Sequence, residues 1–495
     1  MEIVFNTKTI PICREVCRQT KLIQERGECV VSDSKEDVGK IAWAEAQLCL
    51  KGKELGARCV SVDASADISV FYLTEDRMKL ECMNFRKDLS IEFECEEIDP
   101  GAELQIRLNC LGVQARPVNP RKLNAELNIR AEMICYAREE MICSLTAGEE
   151  QKGLYLLREQ RECENRYQVC EKSFVVSEQI PLAREDVRDI LSSRAALFFN
   201  DCQMIGGKAL IKGGAELHFC FETDTGAGPC FLEECLPFSV LIDSGAEEGE
   251  LGGMILQPTA LYASLSDAIN GGRLIELEMH AVAQASFVRK EKLDYIVDAF
   301  STRCPLACTE KTVTVELGHH EIELESEVRD SIAVDTQDAE VLASHAELLS
   351  CAANEGTASA SAAVSLLLRE PDGSYAALQK YMSFESELPA ADYRIFDARL
   401  LSLTASPSGK ELRLLASVCF CCEAAEQEEL SYLPSVEIDE DNAFDLKRTP
   451  MLRAVKRRGR ELWSLAKAYH SSPEAIEALN EKYPMQGDLL LIPRL

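Results

Sequence analysis

The sequence is poor in the groups from which active sites are commonly built. It has six histidines in 495 residues, so few side chains can exchange a proton near neutral pH. There is no GxxxxGK[ST]. The stretch from Gly206-Gly207-Lys208 to Gly213-Gly214 lacks both the spacing and a hydroxyl after the lysine, which excludes a phosphate-cradling P-loop. Neither HExxH nor GxSxG occurs, which excludes the common zinc-protease and serine-hydrolase signatures. His319-His320 are consecutive, and consecutive strand residues face opposite ways, so they do not form a ligand pair. No catalytic residue, metal ligand or cofactor is expected. No run of eighteen apolar residues exists, so no transmembrane helix and no membrane insertion are expected. Met1-Glu2-Ile3-Val4-Phe5-Asn6-Thr7-Lys8 has no apolar core of a secretory signal. Positive charge is also scarce: 53 Lys and Arg stand against 84 Asp and Glu, a net −31. That charge argues against nucleic acid or an anionic membrane as a partner through bulk electrostatics.

Cysteine is abundant, with 22 in the chain. Several fall in the apolar phase of strand-like runs. Cys95 follows Leu89, Ile91 and Phe93, and Cys110 follows Leu104, Ile106 and Leu108; such cysteines act as small buried hydrophobes. The closer groups are Cys13/Cys17, Cys230/Cys235, Cys304/Cys308 and Cys419/Cys421/Cys422. None is a CxxC pair with a matching second half, so a structural zinc site is not expected from spacing.

From Thr20 to Glu437 the pattern is that of antiparallel β-structure. Asp88 to Glu96 alternates strictly, with Leu89, Ile91, Phe93 and Cys95 on one face and Ser90, Glu92, Glu94 and Glu96 on the other. Glu103 to Cys110, Leu123 to Ala131, Leu274 to Val282, Thr312 to Leu317, Glu321 to Glu325 and Glu411 to Phe420 are further strand candidates. Period two at these lengths marks half-buried strands. Asn119-Pro120, Asn270-Gly271-Gly272, Pro371-Asp372-Gly373 and Ser406-Pro407-Ser408-Gly409 are turn signals between them. Many short strands with such turns predict sandwiches or barrels.

The pattern also repeats at long period. A charged turn recurs as Lys35–Ile41, Arg184–Ile190 and, more weakly, Glu327–Ile332. Phe85, Phe238 and Phe384 each precede an alternating run, and turns lead into strands at Arg116–Leu123, Asp267–Leu274 and Ser406–Leu412. The order of these anchors is the same each time. The expected organisation is three tandem β-sandwich or barrel-like domains, at 1–150, 151–300 and 301–435, with a linker at 436–449.

Residues 450–495 differ. From Ala443 to Leu495 there are ten Lys and Arg against six Asp and Glu, so a basic end follows an acidic body. A short strand runs up to Gly459. Leu462, Leu465, Ala466 and Tyr469 then share one helical face. Ser472 and Pro473 suit the cap and first position of a second helix. Ala475, Ile476 and Leu479 form its apolar stripe, and Leu489–Ile492 closes as a strand before Pro493. The prediction is β-α-α-β.

This stretch resembles the LysM module, through Gly459, Leu462-Trp463, Ala466, Tyr469, Ile476, Asn480 and Gly487…Leu490…Ile492-Pro493. LysM modules generally bind N-acetylglucosamine polymers between two loops. The resemblance places those loops at Gly459, Arg460, Glu461 and Leu462, with Trp463 beside them, and at Tyr483, Pro484, Met485 and Gln486. Arg460 and Glu461 stand where the family usually has an acidic or small residue and then a hydroxyl. Trp463 itself suits a packed aromatic better than a ligand platform.

The repeats resemble the SPOCS domain of clostridial spore coat assembly proteins. The resemblance rests on Val31–Ile41, on Val118-Asn119-Pro120-Arg121-Lys122-Leu123 and on Asp298-Ala299-Phe300-Ser301-Thr302. SPOCS-like repeats followed by a LysM module are the architecture of the SipL-type family. That resemblance implies a non-enzymatic adaptor in the mother-cell cytosol at the forespore surface. Its LysM module would dock the spore coat morphogenetic ATPase that forms the coat basement layer. The alternative is a cell-wall or cortex protein that holds peptidoglycan through the same loops.

Overall fold

The computed structural model describes residues 5–95, 100–147, 153–184, 186–224, 228–268, 271–334, 339–354, 356–390, 392–445 and 450–495. Up to Ile438 these residues form antiparallel β-structure. The first six strands are β1 (Phe5–Val30), β2 (Val38–Leu55), β3 (Cys59–Thr74), β4 (Leu80–Glu94), β5 (Glu103–Asn119) and β6 (Lys122–Ala147). They make two three-stranded sheets, β1-β6-β5 and β2-β3-β4. One core, with Val60, Val62, Ile68, Tyr72 and Phe93 from the second sheet and Ile106, Leu123, Leu127 and Ile129 from the first, lies between them.

The same order recurs twice. Strands β7 (Leu154–Pro181), β8 (Val187–Ile205), β9 (Lys208–Thr223), β10 (Cys230–Asp243), β11 (Glu250–Asp267) and β12 (Arg273–Ser301) follow. Then come β13 (Leu306–Ala333), β14 (Glu340–Asn354), β15 (Thr357–Arg369), β16 (Tyr375–Glu387), β17 (Arg394–Ser408) and β18 (Glu411–Ile438). Each set pairs its first, sixth and fifth strands and, separately, its second, third and fourth. The second and third sets are joined into one six-stranded sheet where Glu164 of β7 meets Glu316 of β13. Among the described residues, none of the sheets closes into a barrel.

The strands are long rather than short, and β-bulges explain why. A bulge adds one residue to one strand, so the side-chain alternation changes phase while pairing continues. Thr312–Leu317 and Glu321–Glu325 are one strand, β13, with register shifts at Thr309/Lys311 and Glu316/Gly318. Bulges recur at matching places: Val38/Lys40, Val187/Asp189 and Val341/Ala343 early in the second strand of each set, and Leu50/Gly52, Phe199/Asp201 and Leu348/Ser350 later in it. Pro11, Pro117, Pro237, Pro258 and Pro407 lie on edge strands, where no ladder donor is lost, while Pro181 ends β7 and Pro434 sits in β18 opposite the Thr309/Lys311 bulge.

Phe85, Phe238 and Phe384 occupy the fourth strand of each set, and Phe384 is fully buried. The first two charged stretches run into bulged second strands, at Val38 and at Val187. Glu327–Ile332 does not; it lies inside β13, so the bulge at Val341 is the position equivalent to Val38 and Val187. Gly206-Gly207 form the two-residue β8–β9 hairpin turn, both with positive φ. Gly213 and Gly214 give the rings of Phe238 and Phe198 room to lie on the β9 backbone.

The three sets meet through buried polar side chains that satisfy exposed strand edges. Gln284 of β12, 1% exposed, bonds both backbone groups of Ile106 on edge strand β5, at 2.9 and 2.7 Å. Gln47 accepts from Ala195 N–H at 2.7 Å, and Glu347 from Val113 N–H at 2.8 Å. Beside them lies an ionic cluster. Arg18 contacts Glu15 (2.7 Å), Glu132 (2.9 Å) and Glu423 (3.1 Å), Arg107 contacts Glu132 (2.9 Å), and Arg394 contacts Glu423 (2.9 Å).

His319 closes this cluster, with Glu321, Glu423 and Glu316 at 3.3, 3.6 and 3.7 Å. The hydrogen bond to Glu321 raises its pKa against the opposing effect of burial, with Glu423 and Glu316 adding to the rise. A raised folded-state pKa gives stabilisation that is complete below the unfolded value of about 6.5 and lost as pH climbs through the higher folded value. The melting temperature should therefore fall as pH rises through and above neutrality, and His319→Gln should flatten that part of the curve. An unchanged slope in the variant would remove His319 from the account.

Candidate partner-binding site

The C-terminal segment is built as β19 (Leu452–Lys456), α1 (Leu462–Tyr469), α2 (Pro473–Lys482) and β20 (Leu489–Pro493). The strands pair antiparallel, from Leu452↔Pro493 to Lys456↔Leu489. Ser472 caps α2 by accepting from Ala475 N–H at 3.0 Å, and Pro473 opens it. Leu465, Ala466, Ile476 and Ile492 are buried between helices and strands. Asn480 binds the layers together. Its amide donates to the carbonyls of Ile476 and Leu491, each at 2.7 Å, and its oxygen accepts from Leu491 N–H at 2.8 Å.

The two loops singled out in the sequence are fastened at one point. Asp488 accepts from Arg457 N–H through its backbone (2.8 Å) and from Arg458 N–H through its side chain (2.7 Å). Arg458 and Gly459 both have positive φ, at 49° and 71°, and Arg460 N–H closes the turn onto Arg457 O. Gly459, Arg460 and Glu461 are exposed, as are Tyr483, Pro484, Met485 and Gln486. Lys456, Arg457 and Arg458 extend the same exposed surface.

Leu462 and Trp463 behave differently. Both are half-buried and belong to the cluster that joins this segment to the body. The Trp463 indole donates to Asp298 Oδ2 at 2.8 Å, and Lys467 Nζ reaches Asp298 Oδ1 at 2.6 Å. The indole meets Phe300 edge to face at 4.7 Å, and Phe300 stacks on Tyr155 at 5.1 Å. Burial would raise the Asp298 pKa, but the hydrogen bonds from Lys467 and Trp463 outweigh it and hold the carboxyl below its ordinary value. The Asp298–Thr302 motif thus serves as the seat of the C-terminal segment, a role that its sequence gave no sign of.

A cavity of about 750 Å³ lies elsewhere, lined by β2–β4, β8, β11 and Arg273 of β12. Its Asp67 is already paired with Arg86 at 2.6 Å. Among the described residues, no helix is long and apolar enough to cross a membrane. No protein-family model, curated protein or solved structure matches the chain.

Proposed function

We propose that the chain is a non-enzymatic adaptor of spore coat assembly, of the SipL type, with three SPOCS-like β domains as scaffold and a LysM module as its docking element. Its partner on this reading is the ATPase of the coat basement layer, met at the forespore surface from the mother-cell cytosol. The observation that carries the proposal is the division of the module into two sides. The Trp463–Lys467 side is spent on the chain's own Asp298 and Phe300. The two loops tied by Asp488 leave Lys456, Arg457, Arg458 and Arg460 exposed on one and Tyr483 and Met485 exposed on the other. A cationic rim around an aromatic and a methionine suits an acidic protein surface. The alternative, N-acetylglucosamine polymers, draws on exposed Tyr483, 53% accessible, as a stacking face for a sugar ring.

The test uses the full-length chain, titrated separately against the purified basement-layer ATPase and against peptidoglycan oligomers. Arg460→Ala combined with Met485→Ala should weaken ATPase binding about tenfold, or about 1.4 kcal/mol, and added salt should weaken the unmodified complex. Saturable sugar binding with no ATPase signal would reject the adaptor reading in favour of the alternative.

A further inference from the structure

The outer face of the β13–β18 pair carries a row of ligand-type side chains that no single stretch of sequence displays. The pairing sets Glu321 opposite Glu423, Glu323 opposite Cys421, and Glu325 opposite Cys419. Two clusters result, each with donor atoms within 4.8 Å of one another: His319/Glu321/Glu423 and Glu323/Cys419/Cys421. They differ in what already holds them. Glu423 Oε1 is engaged by two guanidiniums, Arg18 at 3.1 Å and Arg394 at 2.9 Å, so its charge is spent in the ionic cluster. In the second cluster a single cation, Arg399, serves all three groups: its Nη2 binds Glu323 Oε1 at 2.7 Å and its guanidinium also lies against the Cys419 thiol, which is hydrogen-bonded to Cys421 as well.

We infer that Glu323, Cys419 and Cys421 form a binding site for a thiophilic divalent cation, of which Zn²⁺ is the best fit. Two sulfurs and one carboxylate oxygen are three of the four donors of a tetrahedral zinc site, with Zn–S near 2.3 Å and Zn–O near 2.0–2.2 Å. Donors around such an ion stand closer than the present upper bound of 4.8 Å, so side-chain rotation closes the site without moving a strand. Thiolate donors select zinc over magnesium or calcium. Each thiol releases its proton to solvent on binding. Two thiolates and a carboxylate around Zn²⁺ leave one negative charge, and Arg399 on the free side of Glu323 neutralises it. Asp397 faces Cys421 on β17 and adds negative potential on that side.

Burial and access are also suited. Cys419 and Cys421 are 1% and 7% exposed, while the Glu323 side chain is 62% exposed. The sulfurs are thus shielded and the fourth position opens to solvent through Glu323. A disulfide is the competing fate of the pair. Residues i and i+2 of a strand stand about 6.6 Å apart at Cα, at the upper edge of the range that a disulfide spans. Metal binding needs no such closure.

The full chain, reduced and stripped with a chelator, is titrated with Cd²⁺, whose bonds to thiolate give an ultraviolet charge-transfer band, and with Zn²⁺ against a chromogenic chelator. One tight equivalent is expected. Cys419→Ser and Cys421→Ser should each halve the band and weaken zinc at least tenfold. Glu323→Gln, at an exposed position that leaves the core intact, should weaken zinc about tenfold while keeping the band. Cys308→Ser, a control at an exposed thiol, should change nothing. Full-strength binding in both serine variants, or no binding by the unmodified chain, overturns the site. Should the serine variants misfold by circular dichroism, Glu323→Gln decides alone: unchanged zinc affinity there rejects it.

Discussion

Glu132→Ala should cost about 3–5 kcal/mol of folding stability, the range seen when one partner of a buried ion pair is removed. Glu132 is 3% exposed and receives Arg18 and Arg107, both at 2.9 Å. Truncating it takes from Arg107 its one carboxylate, leaving the Phe396 carbonyl at 3.5 Å, and leaves Arg18 with Glu15 and Glu423 as its remaining acceptors. The cost is this desolvated charge, not the worth of the pair, since pairs exchanged whole for apolar groups are often neutral. Arg18 also contacts Glu423 of β18, so the loss should spread beyond the first six strands to the third set. Urea unfolding is the measurement, with a lower midpoint expected at an unchanged slope. A loss below about 1 kcal/mol, the level of a surface pair, would show that water reaches this junction.

The sequence made the β class readable because half of each sheet faces a core. Asp88 to Cys95 alternates in burial as it alternates in polarity, with Leu89, Ile91, Phe93 and Cys95 all inside. Strand length was not readable. A bulge reverses the phase, so one strand such as β13 looks like two short ones. Along Ala42–Leu50 burial is continuous, because neighbouring strands cover both faces and polarity stops alternating. The third charged turn was misplaced for a related reason: Glu327–Ile332 has turn-like composition, yet its charges are simply the solvated face of β13.

The candidate site divides along the same line. Caps, helix faces and the Gly459 turn are local, and local chemistry announced them. The side of the C-terminal segment that meets the body is not local. Trp463 and Asp298 lie 165 positions apart, and each taken alone reads as an ordinary polar or aromatic residue. Cys419 and Cys421 likewise gain Glu323 only through strand pairing, which spacing rules for CxxC motifs do not sample. The buried glutamines that close strand edges, such as Gln284 over Ile106, belong with them: a lone glutamine in an apolar run looks like an error until its partner strand is known.

The contact between segment and body offers the second large effect. Phe300 is 4% exposed and lies between Tyr155 of the body and Trp463 of α1. Phe300→Ala should cost about 3 kcal/mol, the low end for a buried phenylalanine, and nearly all of it at this contact. The C-terminal segment keeps its own Leu465, Ala466, Ile476 and Ile492, so it should separate from the body rather than unfold. The chain supplies its own reporter, because it has only two tryptophans. Trp43 is 5% exposed and stacked on Phe71 at 4.3 Å, within the body. Its emission should stay fixed while that of Trp463 moves to the red on entering water. Asp298→Ala should give a smaller shift in the same direction, since it removes two polar contacts and leaves the ring contact. If Phe300→Ala leaves the emission unchanged, the segment is held by something other than Phe300. Asp298, which takes both Trp463 and Lys467, would then be the residue that keeps the Trp463 side on the body.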